Sequence, residues 1–372
     1  MSLVAAARTK IYEINWLLPA LILVLGLIGV AMIYAATDGV WTDGAQQHLV
    51  RLLAASGLMI VVAVIDIRFW YYMAYPIYAV SLLMLVGVDF MGVEKNGATR
   101  WLDVGVTDIQ PSEIMKLAIV LALARYYHDI GKQRVSHIVG LIGALFIIAI
   151  PAQFILRQPD LGTTMLLTMT ALAIIFLAGV NWRIIRSGAI AAAIAIPLFF
   201  QFFLKDYQRA RIMTFFDPAA DPSGAGYHIA QSKIALGSGG VSGKGYLQGT
   251  QNKLEYVPEN GTDFIFTVIG EEFGLIGGLA TMGLYILLMG ICINMALQCR
   301  HQFSKLLILG LTTTFALYVF INLAMVMGLA PVVGVPLPLV SFGGTVILAV
   351  MTGFGLMLSA HLYRQNELPR SG

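Results

Sequence analysis

Apolar runs of about twenty residues recur along the whole of this chain, and they restrict its fold more than any other feature. A run of that length spans the ~30 Å hydrocarbon core of a bilayer as a helix. Strands of a membrane barrel would read as short alternating segments instead. Only 12% of the 372 residues are charged, against about 25% in soluble domains. The expected fold class is an all-α polytopic membrane protein. About ten transmembrane helices fall near 16–36, 49–65, 70–88, 114–127, 138–156, 161–180, 184–204, 264–297, 306–329 and 339–363. They make one integral membrane domain, 1–372, with a large extracytoplasmic loop, about 205–262, between the seventh and eighth.

Lysines and arginines in the short loops set the orientation. Arg8, Lys10, Arg68, Arg125, Lys132, Arg134, Arg183, Arg186, Arg300, Lys305, Arg364 and Arg370 fall on one side. The short loops opposite hold Lys95, Arg100 and Arg157, with Arg51 near a boundary. Both termini are therefore expected in the cytoplasm, and the loops 37–48, 89–112, 157–160, 205–262 and 330–338 outside. The first run is too long for a signal-peptide core and reads as a retained helix. The net charge is only +3, and no basic cluster suggests nucleic acid. Cys292 and Cys299 lack metal-like spacing and read as small packing residues.

The polar, motif-like residues gather on the outer side. The loop 205–262 carries Arg211 and two glycine clusters, Gly237-Ser238-Gly239-Gly240 and Gly243-Lys244-Gly245. These are not a P-loop, because Ser238 and Gly245 stand where a glycine and a Ser or Thr are needed. With no nucleotide site, the energy for any bond formation must come from an activated substrate. Residues 226–236 read as a short interfacial helix. The glycines suit either a close approach to a ligand or a flexible loop.

Asp263 sits where polar sequence gives way to apolar, with Glu271 and Glu272 roughly 12 Å deeper along a helix. A carboxylate inside a span is expensive and points to function. At Asp263 a helix cap, shared with Thr262, and a general base remain open alternatives. Ser112 reads as a helix N-cap, with Glu113 and Lys116 pairing at i, i+3 inside an apolar span. Asp160 reads as the cap of the sixth helix and Arg157 as a snorkelling side chain. Arg100 is either a phosphate ligand or, with Trp101, an interfacial anchor. Pro331, Pro336 and Pro338 imply irregular backbone, which survives at membrane depth only when buried or lining a cavity. Asn322 is a cavity liner or a helix–helix bridge. The eighth run is long or tilted, and no pair of Gly/Pro-broken helices suggests a transporter repeat.

Taken in order, these stretches resemble the SEDS family (shape, elongation, division and sporulation), its RodA type more than its FtsW type. The likeness runs through Arg100-Trp101, Gln110-Pro111-Ser112-Glu113 with Lys116, Gln158-Pro159-Asp160-Leu161-Gly162, Tyr227-His228, Gln231-Ser232, Gly237–Gly240, Pro258-Glu259, Thr262–Phe266, Glu271-Glu272 and Pro331–Ser341. It implies a peptidoglycan glycosyltransferase of the bacterial cytoplasmic (inner) membrane that polymerises lipid II. It also implies a class B penicillin-binding protein as transpeptidase partner, with other elongation-complex membrane proteins. The family's essential aspartate falls on Asp263, here the expected general base. Gly261 departs from the larger polar residue usual before Thr262. Arg100, Lys116, Arg211 and Lys244 are expected at the diphosphates of lipid II and undecaprenyl diphosphate. Glu113 and Asp160 would position Lys116, a sugar, or a divalent cation (magnesium or manganese). The alternatives are a lipid II flippase, with Glu113, Lys116, Glu271 and Glu272 lining a headgroup path, and a non-catalytic scaffold for the transpeptidase.

Overall fold

A helix falls on each of those apolar runs in the computed structural model, which describes residues 10–41, 43–95, 98–103, 105, 108–158, 160–202, 209, 213–217, 224–253 and 260–369. The order begins α1 (Leu17–Ala36), α2 (Asp43–Val64) and α3 (Ile67–Met91). Three short strands follow, β1 (Val93–Lys95), β2 (Ala98–Asp103) and β3 (Asp108–Ile109). Then come α4 (Pro111–Arg134), α5 (Ile138–Arg157), α6 (Leu161–Leu177) and α7 (Trp182–Phe202). The long connection after α7 contributes α8 (Ala225–Ser238) and α9 (Thr250–Lys253), and α10 (Ile265–Gln298), α11 (Gln302–Val326) and α12 (Gly344–Leu362) complete the chain. Among the described residues seven helices are long and apolar enough to cross a membrane, and α6 is a shorter apolar one. The chain is a multi-pass membrane protein.

α11 occupies the centre, against α4, α6, α10 and α12, while α12 lies along α2 and α4 along α3. Lipid tails are as apolar as leucine, so close van der Waals packing holds such helices together. Small residues allow it: a Cβ on Gly310 would crowd Val120 and Ile174, and one on Gly355 would crowd Met59 and Val62. Cys292 and Cys299 are free and buried, as expected of packing residues.

Two connections carry secondary structure of their own. The stretch expected as a loop at 89–112 contains an antiparallel sheet in the order β1-β2-β3. In the long connection, the short helix expected at 226–236 is α8. Its Ser232 is buried and donates to Val326 O at 2.6 Å, so α8 packs on the bundle.

α10 is not one long or tilted helix but two pieces joined at Gly274, whose φ of 64° and ψ of −158° are non-helical. Only glycine adopts such a conformation readily. The break leaves helix backbone groups without intrahelical partners, and the glycine run supplies them. Lys244 N and Gly245 N donate to Glu271 O and Glu272 O at 3.0 Å each. Leu275 N and Ile276 N donate to Gly240 O and Val241 O at 2.9 and 3.1 Å. A Cβ on Gly239 or Gly243 would strike the backbone of α10. These glycines therefore let a loop approach a helix rather than a ligand. Beneath the loop, buried Glu271 accepts from Lys244 Nζ at 2.6 Å, Gln251 N at 2.9 Å and Thr250 Oγ1 at 3.3 Å.

The proline-rich segment between α11 and α12 is irregular and largely buried. Tyr285 donates to Pro338 O at 2.6 Å, and His48 Nε2 lies 3.1 Å from Leu339 O. Leu339 has a left-handed φ of 69°, a strain of about 1–3 kcal/mol that persists only when the surroundings over-determine it.

Candidate active site

A cavity of about 390 Å³ opens where β2 and the starts of α4, α6, α10 and α12 converge. Arg100, Glu113, Lys116, Asp160 and Asp263 all line it. These residues come from separate parts of the chain, and each is positioned by a distinct local device.

Asp160 caps α6, as its place in the sequence suggests. Thr163 N donates to its Oδ1 at 3.0 Å and Thr163 Oγ1 to its Oδ2 at 2.9 Å. The same Oδ2 receives Gln110 Nε2 at 3.5 Å and lies 3.7 Å from the Arg100 guanidinium. Arg100 Nε also donates to Gln158 O at 3.1 Å. The β2 strand thus brings a half-exposed cation to the rim, against a buried carboxylate.

Deeper in, Glu113 and Lys116 form the expected i, i+3 pair at 2.7 Å, and both are buried. Tyr318 of α11 completes the group. Its hydroxyl donates to Glu113 Oε2 at 2.7 Å and also contacts Lys116 Nζ. Desolvating two charges costs several kcal/mol per ion before their attraction is counted, so a buried pair is weak evidence for stability. Its place on a cavity wall is better explained by chemistry. Ser112 is not the cap of α4. Gln110 is the N-cap, without a side-chain hydrogen bond, and Pro111 opens the first turn. Proline suits that position because its missing N–H would have had no helical partner.

Asp263 is not a cap either. α10 begins at Ile265 with Phe264 as N-cap, and no side chain caps it. What holds Asp263 is its backbone. Phe342 N donates to Gly261 O at 2.9 Å, and Ser341 Oγ to Thr262 O at 2.5 Å. Asn322 Nδ2 donates to Asp263 O and to Val335 O, each at 2.7 Å. Three successive carbonyls are thereby pinned by α11 and the proline-rich segment. Asn322 is neither a cavity liner nor a helix–helix bridge. It is a buried clamp between α11 and two irregular stretches. Gly334, at a φ of 69°, lies beside the carboxylate, where an added Cβ would sit 3.5 Å from Asp263 Oδ2.

Other expected site residues lie elsewhere. Lys244 does not line this cavity, and its ammonium is engaged by Glu271. Arg211 lies outside the described residues. Glu271 and Glu272 are buried in the N-terminal piece of α10 and do not share the cavity with Glu113 and Lys116. Sequence reasoning passed over Tyr318. The signal was a polar stripe, Thr314, Tyr318 and Asn322, at i, i+4 and i+8 on an apolar helix.

This arrangement can be set beside known proteins. The model of the FtsW/RodA/SpoVE cell cycle proteins matches residues 14–366. The chain belongs to that family. Among its FtsW/RodA/SpoVE relatives, the peptidoglycan glycosyltransferase MrdB of Escherichia coli K12 is 41% identical, over 93% of this chain and 93% of that one. A probable peptidoglycan glycosyltransferase FtsW of Trichlorobacter lovleyi is 32% identical over 94% and 93%. In structure, the chain is similar to one from a peptidoglycan synthase complex described as coordinating polymerization and crosslinking. That match has a TM-score of 0.85 and 28% identity, over 95% of this chain and 99% of the other. The rod shape determining protein RodA of Thermus thermophilus matches at a TM-score of 0.72 and 26% identity, over 95% and 98%.

Proposed function

We propose that this FtsW/RodA/SpoVE family member is a peptidoglycan glycosyltransferase of the bacterial cytoplasmic membrane that polymerises lipid II during cell elongation. One observation carries the reading: Asp263 shares a single cavity with two buried or half-buried cations, Lys116 and Arg100. The 41% identical relative named peptidoglycan glycosyltransferase supports it. The loop charges support cytoplasmic termini, which put this cavity on the outer face.

In the reaction, Asp263 takes the proton from the C4 hydroxyl of one lipid-linked sugar. The freed oxygen bonds to the anomeric carbon of a second chain, and the bond from that carbon to undecaprenyl diphosphate breaks. The clamped backbone holds the base in place, which is where enzymes gain most from orientation. Arg100 and Lys116 meet the charge that develops on the departing diphosphate. Asp160 and Glu113 hold those cations in register, and Tyr318 fixes Glu113 and Lys116 together. Among the described residues no group of three or more His, Cys, Asp or Glu side chains is placed to hold a metal ion. A divalent cation would therefore arrive as the counter-ion of the diphosphate, and no step above depends on it. The likeness to a chain of a peptidoglycan synthase complex supports a class B penicillin-binding protein as partner.

The test is polymerisation of lipid II by the purified chain, with and without its transpeptidase. Asp263→Asn keeps the shape of the side chain and removes its basicity. It is expected to insert, fold and make no polymer; wild-type polymerisation by this variant would reject the base.

A further inference from the structure

A second and larger cavity, about 890 Å³, lies at the other end of α4. It is lined by Asp129 and Arg134 of α4, by Leu177 at the end of α6, and by Arg300, Lys305 and Leu306 around the α10–α11 turn. Roughly 18 Å of α4, from Lys116 to His128 at 1.5 Å per residue, separates the two. The two cavities therefore face opposite sides of the bundle, and on the proposed orientation this one meets the cytoplasmic leaflet.

Its charge is unbalanced. Asp129 is already engaged by Tyr71 OH at 2.5 Å and by Arg125 at 3.6 Å. Among the described residues, Arg134, Arg300 and Lys305 make no salt bridge. α11 starts here, and no side chain caps it, which adds about half a positive charge at the opening. The C-terminal ends of α4, α6 and α10 each contribute about half a negative charge, together too little to offset three cations and the α11 N-terminus. Leu177, exposed at the edge, sets apolar surface next to the charge, over the buried Leu306. Basic pockets between membrane helices on the cytoplasmic side are suited to lipid head groups.

We infer that this cavity binds the phosphate of an anionic phospholipid of the cytoplasmic leaflet, with the acyl chain along the apolar edge. A soluble phosphate compound shares the head group's chemistry, so the test separates the two sources. The purified full chain, delipidated in detergent, is titrated with cardiolipin, phosphatidylglycerol, phosphatidylcholine or inorganic pyrophosphate, and bound ligand is counted by native mass spectrometry. Cardiolipin and phosphatidylglycerol are expected to bind saturably and phosphatidylcholine not to. Arg300→Gln with Lys305→Gln should weaken the anionic lipids roughly twentyfold or more. Equal binding of phosphatidylcholine, or unchanged affinity in a folded double variant, overturns the proposal. Displacement of the lipid by equimolar pyrophosphate also overturns it, in favour of a soluble ligand. If the double variant does not fold, Arg134→Gln, at an exposed position, is expected to weaken binding roughly fivefold, and no change there rejects the site. None of these readouts depends on polymerase activity.

Discussion

Replacing Asn322 with alanine should damage catalysis without replacing a side chain that lines the cavity. The amide makes two hydrogen bonds of 2.7 Å, to Asp263 O and Val335 O, and is fully buried. Hydrogen bonds inside membrane proteins average about 0.6 kcal/mol and reach about 1.7, so losing two costs roughly 1–3 kcal/mol. Asn322 Oδ1 has no partner, so its removal costs nothing and keeps the total toward the lower figure. Cys292 and Cys299 are free and buried, so a thiol-reactive dye reports unfolding directly. Asn322→Ala should unfold at lower temperature yet remain folded at assay temperature. Its polymerisation rate should fall further than its stability, because misplacing a reacting group by about 1 Å can cost about 10²-fold. Asp263→Asn should show the reverse pattern, with unchanged unfolding and no product. Wild-type polymerisation by Asn322→Ala at a reduced unfolding temperature would refute the reasoning, because the clamp would then serve stability alone.

Tyr318→Phe removes only the hydroxyl joining Glu113 to Lys116; lipid II polymerisation should drop roughly tenfold or more with insertion unchanged, in line with losing one positioned polar group. Lys244→Met should lower the unfolding temperature by leaving Glu271 buried without its 2.6 Å partner. Adding Glu271→Gln should recover part of that loss, and a double-mutant cycle should give a coupling of about 1–3 kcal/mol. Gly274→Ala forces a side chain into a glycine-only conformation and into Val241 and Gly243; yield and unfolding temperature should both fall, by at least ~1–3 kcal/mol in stability.

The length of the apolar runs located the helices, because a membrane span must be long and apolar, and that demand is written in composition alone. Charged residues in apolar surroundings located much of the cavity for the same reason: Glu113, Lys116, Asp160 and Asp263 are costly where they stand. What stayed hidden was backbone partnering. Gly274 reads as one more glycine in a long apolar run, and only the matching groups at 240–245 reveal a break there. The role of Asn322 depends on carbonyls of Asp263 and Val335, which lie far from it in sequence or on irregular backbone. Thr262 and Asp263 look like a cap because the apolar run begins beside them, yet α10 starts at Ile265. The strands at 93–109 are too short to raise an alternating pattern above the surrounding helices.

The interruption at Gly274 changes what α10 can transmit. An unbroken rod of its length would run roughly 50 Å, well beyond the hydrocarbon thickness. Divided as it is, the long shaft from Leu275 onward alone suffices to cross. The glycine strap is bonded to both sides of the joint, by two backbone bonds to Glu271 and Glu272 of the short stub and two from Leu275 and Ile276 at the head of the shaft. A protein that grips the strap therefore holds the joint itself, and with it the angle at which the stub carries Asp263 just ahead of it.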